Sequence, residues 1–203
     1  MTFVDLPPFF NYREEKVKVD AGYEALQDFF ISWTIRLSET KYNNLNPKLN
    51  EYARKIVYGL IFCETLERYE INIDDFKVDE VEVFRQYKTI DLIAIITYTL
   101  NNKNHKVVLN IENKWYSNIG NGQLEKCRNI ICEDVQFNKY NIIDIFLSPD
   151  WTKSKEDSSI ITCCVKNNYK MVAIEDLKEF SGITKEHPSG NYMFDEYWTR
   201  FYQ

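Results

Sequence analysis

Between Ile90 and Trp115 the chain carries the feature that most limits what it can fold into. Asp91 to Leu100 (DLIAIITYTL) is rich in β-branched residues and reads as a strand, and Lys106 to Trp115 (KVVLNIENKW) reads as the next one. Asn101-Asn102-Lys103-Asn104 between them is a turn signal. Together the three segments spell an antiparallel hairpin, with its carboxylates gathered at one end.

Side chains alternate along a strand, so Glu112 and Lys114 share a face and Asn113 points away. In an antiparallel hairpin the start of one strand meets the end of the next, which brings Asp91 to the same sheet end. A four-residue turn at Asn101 to Asn104 places Asp91 opposite Lys114 and diagonal to Glu112. Two carboxylates and an ammonium converging in this way suit phosphodiester chemistry. Mg²⁺ takes one or two carboxylates together with a phosphate oxygen. It polarises the phosphoryl group and lowers the pKa of a bound water. A neighbouring lysine orients that water or stabilises developing charge.

Ile90-Asp91-Leu92 and Ile111-Glu112 set carboxylates among apolar neighbours, where an unpaired charge is costly. A metal ion meets that need; a structural Asp91–Lys114 ion pair meets it too, and both readings stay open at this point. The triplet E-x-K carries little weight alone, since Glu14-Glu15-Lys16 repeats it. Neither histidine is well placed for catalysis: His105 falls in the hairpin turn and His187 in a loop with Pro and Gly.

Around the hairpin, spacing predicts a first helix opening at Asp20, with Tyr23, Leu26, Phe30, Trp33 and Leu37 as its apolar stripe. Asn46-Pro47 reads as N-cap and N1 proline of a second helix, which carries Leu49, Ala53, Ile56, Val57, Leu60 and Ile61 towards Glu67. Val78 to Tyr87 alternates and reads as a strand ahead of the hairpin. Gly120-Asn121-Gly122 interrupts the chain before a helix from Gln123 to Val135, with Leu124, Cys127, Ile130 and Ile131 facing the core. Asn141 to Ser148 is apolar with little alternation, the pattern of a parallel strand buried on both faces. Thr152 to Ser159 reads as a polar loop, Ile160 to Val165 and Tyr169 to Ile174 as strands, and Glu175 to Phe180 and Tyr192 to Phe201 as short helices. The order predicts one α/β domain over residues 1–203, a mixed β-sheet flanked by helices on both sides.

The net charge of −6 argues against a surface that grips nucleic acid everywhere. Phosphate contacts then fall to local groups, of which Arg85, Lys88, Lys126 and Arg128 lie nearest the site strands and the following helix. Cys63, Cys127, Cys132, Cys163 and Cys164 form no C-x-x-C pair, and with only two histidines a Cys/His zinc site is not expected. They read as reduced thiols of a cytoplasmic protein. Met1 to Phe10 lacks the basic start and apolar run of a signal peptide. No segment approaches the roughly 20 apolar residues of a membrane helix.

The run TIDLIAI … VVLNIENKWYSNIGNGQLEKC resembles the PD-(D/E)XK nuclease superfamily, in particular a bacterial group marked by an I-D-apolar strand, then I-E-N-K, then a helix opening with Gln-Leu. The likeness covers about residues 78–148; Phe146-Leu147-Ser148-Pro149 and Ala173-Ile174-Glu175-Asp176-Leu177 extend it loosely. It implies a restriction-endonuclease-like core and a metal-dependent nuclease, with DNA rather than RNA as substrate and Mg²⁺ as cofactor, replaceable by Mn²⁺. It implies roles as well: Asp91 and Glu112 as metal-binding carboxylates, the Asn113 carbonyl as a further ligand, Lys114 as the catalytic lysine and Gln123 as the glutamine beside the site. A glutamate from the first helix completes such sites; Glu24 in EALQDFFISW is the choice, with Glu51 and Glu64 as alternatives. Two positions depart from the pattern. Ile90 stands where the proline would be, and Gln86 stands where an acidic residue is expected, which weakens a two-metal site more than a one-metal site. A homodimer, a partner protein, and a catalytically inactive binding or scaffold protein of the same fold are the alternatives left open.

Overall fold

The computed structural model describes residues 23–63, 73–114, 119–148 and 155–200. Helix α1 (Tyr23–Leu37) leads into α2 (Pro47–Ile61). Three antiparallel strands follow, β1 (Phe76–Tyr87), β2 (Ile90–Leu100) and β3 (Lys103–Asn113). Helix α3 (Gln123–Glu133) carries the chain to β4 (Asn141–Ser148), and α4 (Ser158–Lys166) carries it to β5 (Lys170–Ala173). Both β4 and β5 are parallel to β3, so the sheet is mixed, in the order β1-β2-β3-β4-β5. Helices α5 (Ile174–Ser181) and α6 (Tyr192–Arg200) complete the described chain. The expected opening at Asp20 and the expected stretch from Glu64 to Glu67 lie outside the described residues.

The sheet separates two apolar layers. On one face Phe30, Trp33 and Leu37 of α1, Ile56 and Leu60 of α2, Leu177 of α5 and Trp198 of α6 pack over Leu92, Ala94, Leu109, Ile111 and Leu147. On the other, Cys127 and Ile131 of α3 meet Ile93, Ile95 and Val108, and Leu124 joins Ile160, Cys164 and Phe146. Alternation along β2 and β3 feeds both layers, which is why these strands read as nearly continuous apolar runs.

Local chemistry sets the element ends. The Asn46 side chain accepts a hydrogen bond from the Leu49 amide at 3.0 Å, and Pro47 supplies a preset φ at N1, as expected. Ile160 to Val165, expected as a strand, is instead the body of α4. The Asp157 carboxylate caps it by accepting from the Ser159 and Ile160 amides at 2.9 and 3.2 Å. Ile160 and Cys164 point inward at helical spacing, and Val165 is exposed. A short apolar run does not separate the two periods, and the cap decides.

The hairpin turn also differs from expectation. Leu100 pairs with Lys103, so the link is two residues, Asn101 and Asn102, with φ of 50° and 59°. Asparagine tolerates this left-handed region, and the doubly positive turn matches the twist of a hairpin. The register therefore slips by two residues. Leu92 pairs with Ile111, and Asp91 stands opposite Glu112, not Lys114. A slip of two keeps every side chain on its expected face; a slip of one would have reversed them.

Candidate active site

At the end of the hairpin the β-ladder places Asp91 and Glu112 side by side on the face covered by α3. Glu112 is fully buried, and Lys114 is buried beside it. The Lys114 Nζ lies 2.7 Å from Glu112 Oε1 and 3.8 Å from Asp91 Oδ2. The backbone amide of Lys114 donates to the Leu147 carbonyl at 3.0 Å, which prolongs the parallel ladder and fixes where the ammonium begins.

From above, Gln123 opens α3 behind the left-handed Gly122, and its Nε2 donates to Glu112 Oε1. The Gly120 amide donates to Gln123 Oε1 at 3.0 Å and fixes the orientation of that side-chain amide. One turn along α3, the Cys127 thiol lies 3.7 Å from Glu112 Oε2. Burial, then the Glu112 charge, pushes that thiol up to about 12, so it stays neutral.

From the other side of the sheet, α1 reaches the same end through Asn113. Its side chain points away from Glu112, as alternation requires. The Asn113 Nδ2 donates to the Glu24 carbonyl and to Asp28 Oδ1, both at 2.9 Å, and its Oδ1 accepts from Gln27 Nε2. The Asn113 backbone amide donates to Asp91 Oδ2 at 2.9 Å. One residue thus ties α1, β2 and β3 together.

The electrostatics are those of crowded acids. Burial, then the charge of Asp91, holds the Glu112 carboxyl up at about 7, from an ordinary 4.5. Asp28 is raised well above its ordinary value, by burial first and by Asp91 second. Burial also weighs against the Lys114 ammonium, but the pull of Asp91 and Glu112 outweighs it and raises its pKa. Glu24 adds to that pull.

Asp91, Glu112, Lys114, Gln123 and Asn113 therefore meet at one sheet end, with the charge of Glu24 nearby. Glu51 does not: it pairs with Lys55 at 2.7 Å on α2. Glu64 lies outside the described residues. Asp28 and Gln27 were missed from sequence. Asp28 is followed by Phe29-Phe30 and precedes Ile31, the same carboxylate-among-apolars signal that marked Asp91 and Glu112. Of the basic residues nominated for phosphate, Lys88 pairs with Asp134 at 3.0 Å, Arg85 lies over the Phe29 ring and Arg128 bonds Asp144. Lys126 is exposed.

Among the described residues no group of three or more His, Cys, Asp or Glu is arranged to hold a metal ion. That does not oppose Mg²⁺, which keeps several waters and binds through one or two carboxylates plus substrate phosphate. The all-oxygen pair of Asp91 and Glu112 suits a hard cation. Among the described residues no helix is long and apolar enough to cross a membrane.

A family model described as the PD-(D/E)XK nuclease superfamily matches residues 10–198. Among curated proteins and among solved structures nothing matches. The match runs over nearly the whole length, so the chain belongs to the PD-(D/E)XK nuclease superfamily, whose members are generally nucleases, and its five-stranded mixed sheet flanked by helices is a restriction-endonuclease-like α/β fold.

Proposed function

We propose that the chain is a single-domain, Mg²⁺-dependent nuclease that hydrolyses phosphodiester bonds of DNA. The observation that carries this is the placement of Asp91 opposite Glu112 with the Lys114 ammonium against both. Asp91, Glu112 and the Asn113 carbonyl would hold the ion. When bound, the ion supplies charge to the scissile phosphate and a water of lowered pKa. Lys114 orients the attacking water or stabilises charge on the phosphate, from a stem fixed by the ladder at Leu147. Gln123 holds the Glu112 carboxylate in one orientation, and Glu24 adds negative charge from α1. Mn²⁺ replaces Mg²⁺ in this scheme.

One observation favours a second reading, an inactive protein of the same fold used for binding or as a scaffold. Lys114 already closes on Glu112 at 2.7 Å, so the ion pair is complete without a metal. Calorimetry with Mn²⁺, followed by cleavage assays on single- and double-stranded DNA and RNA with Mg²⁺ or EDTA, separates the two. EDTA-sensitive cleavage of DNA supports the nuclease. Wild-type protein with neither Mn²⁺ affinity nor cleavage leaves the scaffold.

A further inference from the structure

The row of side chains across the sheet end does not stop at Asp91. Arg85 pairs with Leu92 and Tyr87 with Ile90, so Gln86 of β1 stands opposite Asp91. Its φ is 51°, in the left-handed region that a side chain rarely adopts. The Gln86 Nε2 lies 3.4 Å from Asp91 Oδ1 and 3.4 Å from Asp28 Oδ2. The remaining oxygens of the two aspartates belong to Asn113: its backbone amide donates to Asp91 Oδ2 and its Nδ2 to Asp28 Oδ1, each at 2.9 Å. Two carboxylates with like charge are thus bridged twice, once by Asn113 from inside and once by Gln86 from the exposed edge.

We propose that Gln86 is a positioning residue whose neutral amide takes the place a second divalent cation would take between Asp28 and Asp91, so that this site holds one ion, on the Asp91–Glu112 side. The inference rests on the metal-nuclease reading above. A glutamine amide has two N–H donors and can serve both aspartates at once without carrying charge. It keeps Asp91 aimed at the single ion without adding charge between the two aspartates. A carboxylate at the same place would do the opposite. It would converge with Asp28 and Asp91 as a third oxygen ligand, and three carboxylates make a site that a hard cation fills.

Calorimetric titration of the full chain with Mn²⁺ alone tests this. Wild type is expected to bind one equivalent. Gln86→Glu is expected to bind two, and adding Asp28→Asn to that variant returns it to one, which places the second ion beside Asp28. If Gln86→Glu does not fold, Gln86→Ala serves: removing the amide opens the gap, and a second, weaker equivalent is expected. Wild type binding two equivalents overturns the proposal and leaves the nuclease reading standing. A folded Gln86→Glu, or failing that Gln86→Ala, that stays at one equivalent also overturns it alone. Wild type binding none overturns both.

Discussion

Asp144 and Glu112 lie on neighbouring parallel strands, on the same face of the sheet, and both are almost completely buried. Asp144 has what a buried carboxylate needs. Asn110 Nδ2 donates to its Oδ1 at 2.6 Å, the Arg128 guanidinium bonds its Oδ2, and the Tyr169 hydroxyl accepts from the same Asn110 at 2.8 Å. One anion meets one cation. Around Glu112 the acids outnumber the cations: Asp28, Asp91, Glu112 and Glu24 face Lys114 and, near Asp28, Arg85. Burial raises both carboxyls, but only Glu112 is raised further by another carboxylate, whereas the partners of Asp144 pull it down. A buried charge with matched partners is architecture. A buried excess of charge costs stability unless a ligand of opposite sign completes it, and that is a reason to place function there.

The largest expected effect separates the two cations. Lys114→Met keeps most of the stem and removes the ammonium, so turnover should fall by about 10²–10³ while Mn²⁺ affinity persists. Arg128→Met should leave turnover near wild type. Single-turnover cleavage and Mn²⁺ calorimetry on both variants check this, and comparable losses from the two would erase the distinction between the clusters.

Next in size is the pH dependence of the metal-free protein. At low pH, below the ordinary value of 4.5, Glu112 is protonated in folded and unfolded chains alike and contributes nothing. Between 4.5 and about 7 the folded carboxyl keeps its proton while the unfolded one loses it. The folded state then binds more protons, and stability falls as pH rises. The full penalty, present above about 7, is on the order of 3 kcal/mol. Asp28 acts in the same direction. Urea melts across that window should show the decline, Glu112→Gln should flatten much of it, and added Mg²⁺ should offset it. A stability profile that is flat in the metal-free wild type would contradict the picture of uncompensated acids.

The hairpin and its charged end were legible because period two is robust: the turn proved two residues shorter than expected, and the faces were unaffected. The identity of Asp91's neighbour was not legible, since that depends on whether Asn101-Asn102 alone closes the turn. Gln86 stands opposite Asp91 for a similar reason, the short link at Lys88-Thr89. Asp28 was missed because helical spacing sorts a buried side from an exposed one without saying which rung meets the sheet end. Glu24 and Asp28 are one turn apart, and Asn113 takes the carbonyl of the first and the carboxylate of the second. Ile160 to Val165 was misread because its six residues fit either period until Asp157 caps them.

A smaller effect concerns the strength of the matched cluster. Asp144→Asn leaves Arg128 without its counter-charge, and Arg128→Met leaves Asp144 buried without one. The second should cost more, about 1–3 kcal/mol, and less than a fully enclosed pair because the Arg128 side chain is 35% exposed. Thermal or urea unfolding measures it. A cost near zero for Arg128→Met would mean that Asn110 alone satisfies Asp144.

The smallest effect is the most discriminating about whether the two clusters are independent. Tyr169 is buried, and burial holds its hydroxyl far above the ordinary tyrosine range, so it stays protonated at any working pH. Its hydroxyl accepts from Asn110 Nδ2, which also donates to Asp144. Tyr169→Phe therefore removes the acceptor of one of the two Asn110 Nδ2 hydrogens, and that buried N–H left without a partner should cost about 1 kcal/mol. Asn110 and Glu112 are two residues apart on one face of β3, and the Glu112 charge reaches Tyr169 weakly. If the clusters are separate, Tyr169→Phe should cleave at the wild-type rate and bind Mn²⁺ with wild-type affinity, with only a small fall in melting temperature. A tenfold or greater loss of turnover with unchanged stability would show that the hydroxyl acts on Glu112 through Asn110. The matched cluster would then belong to the site it was contrasted with.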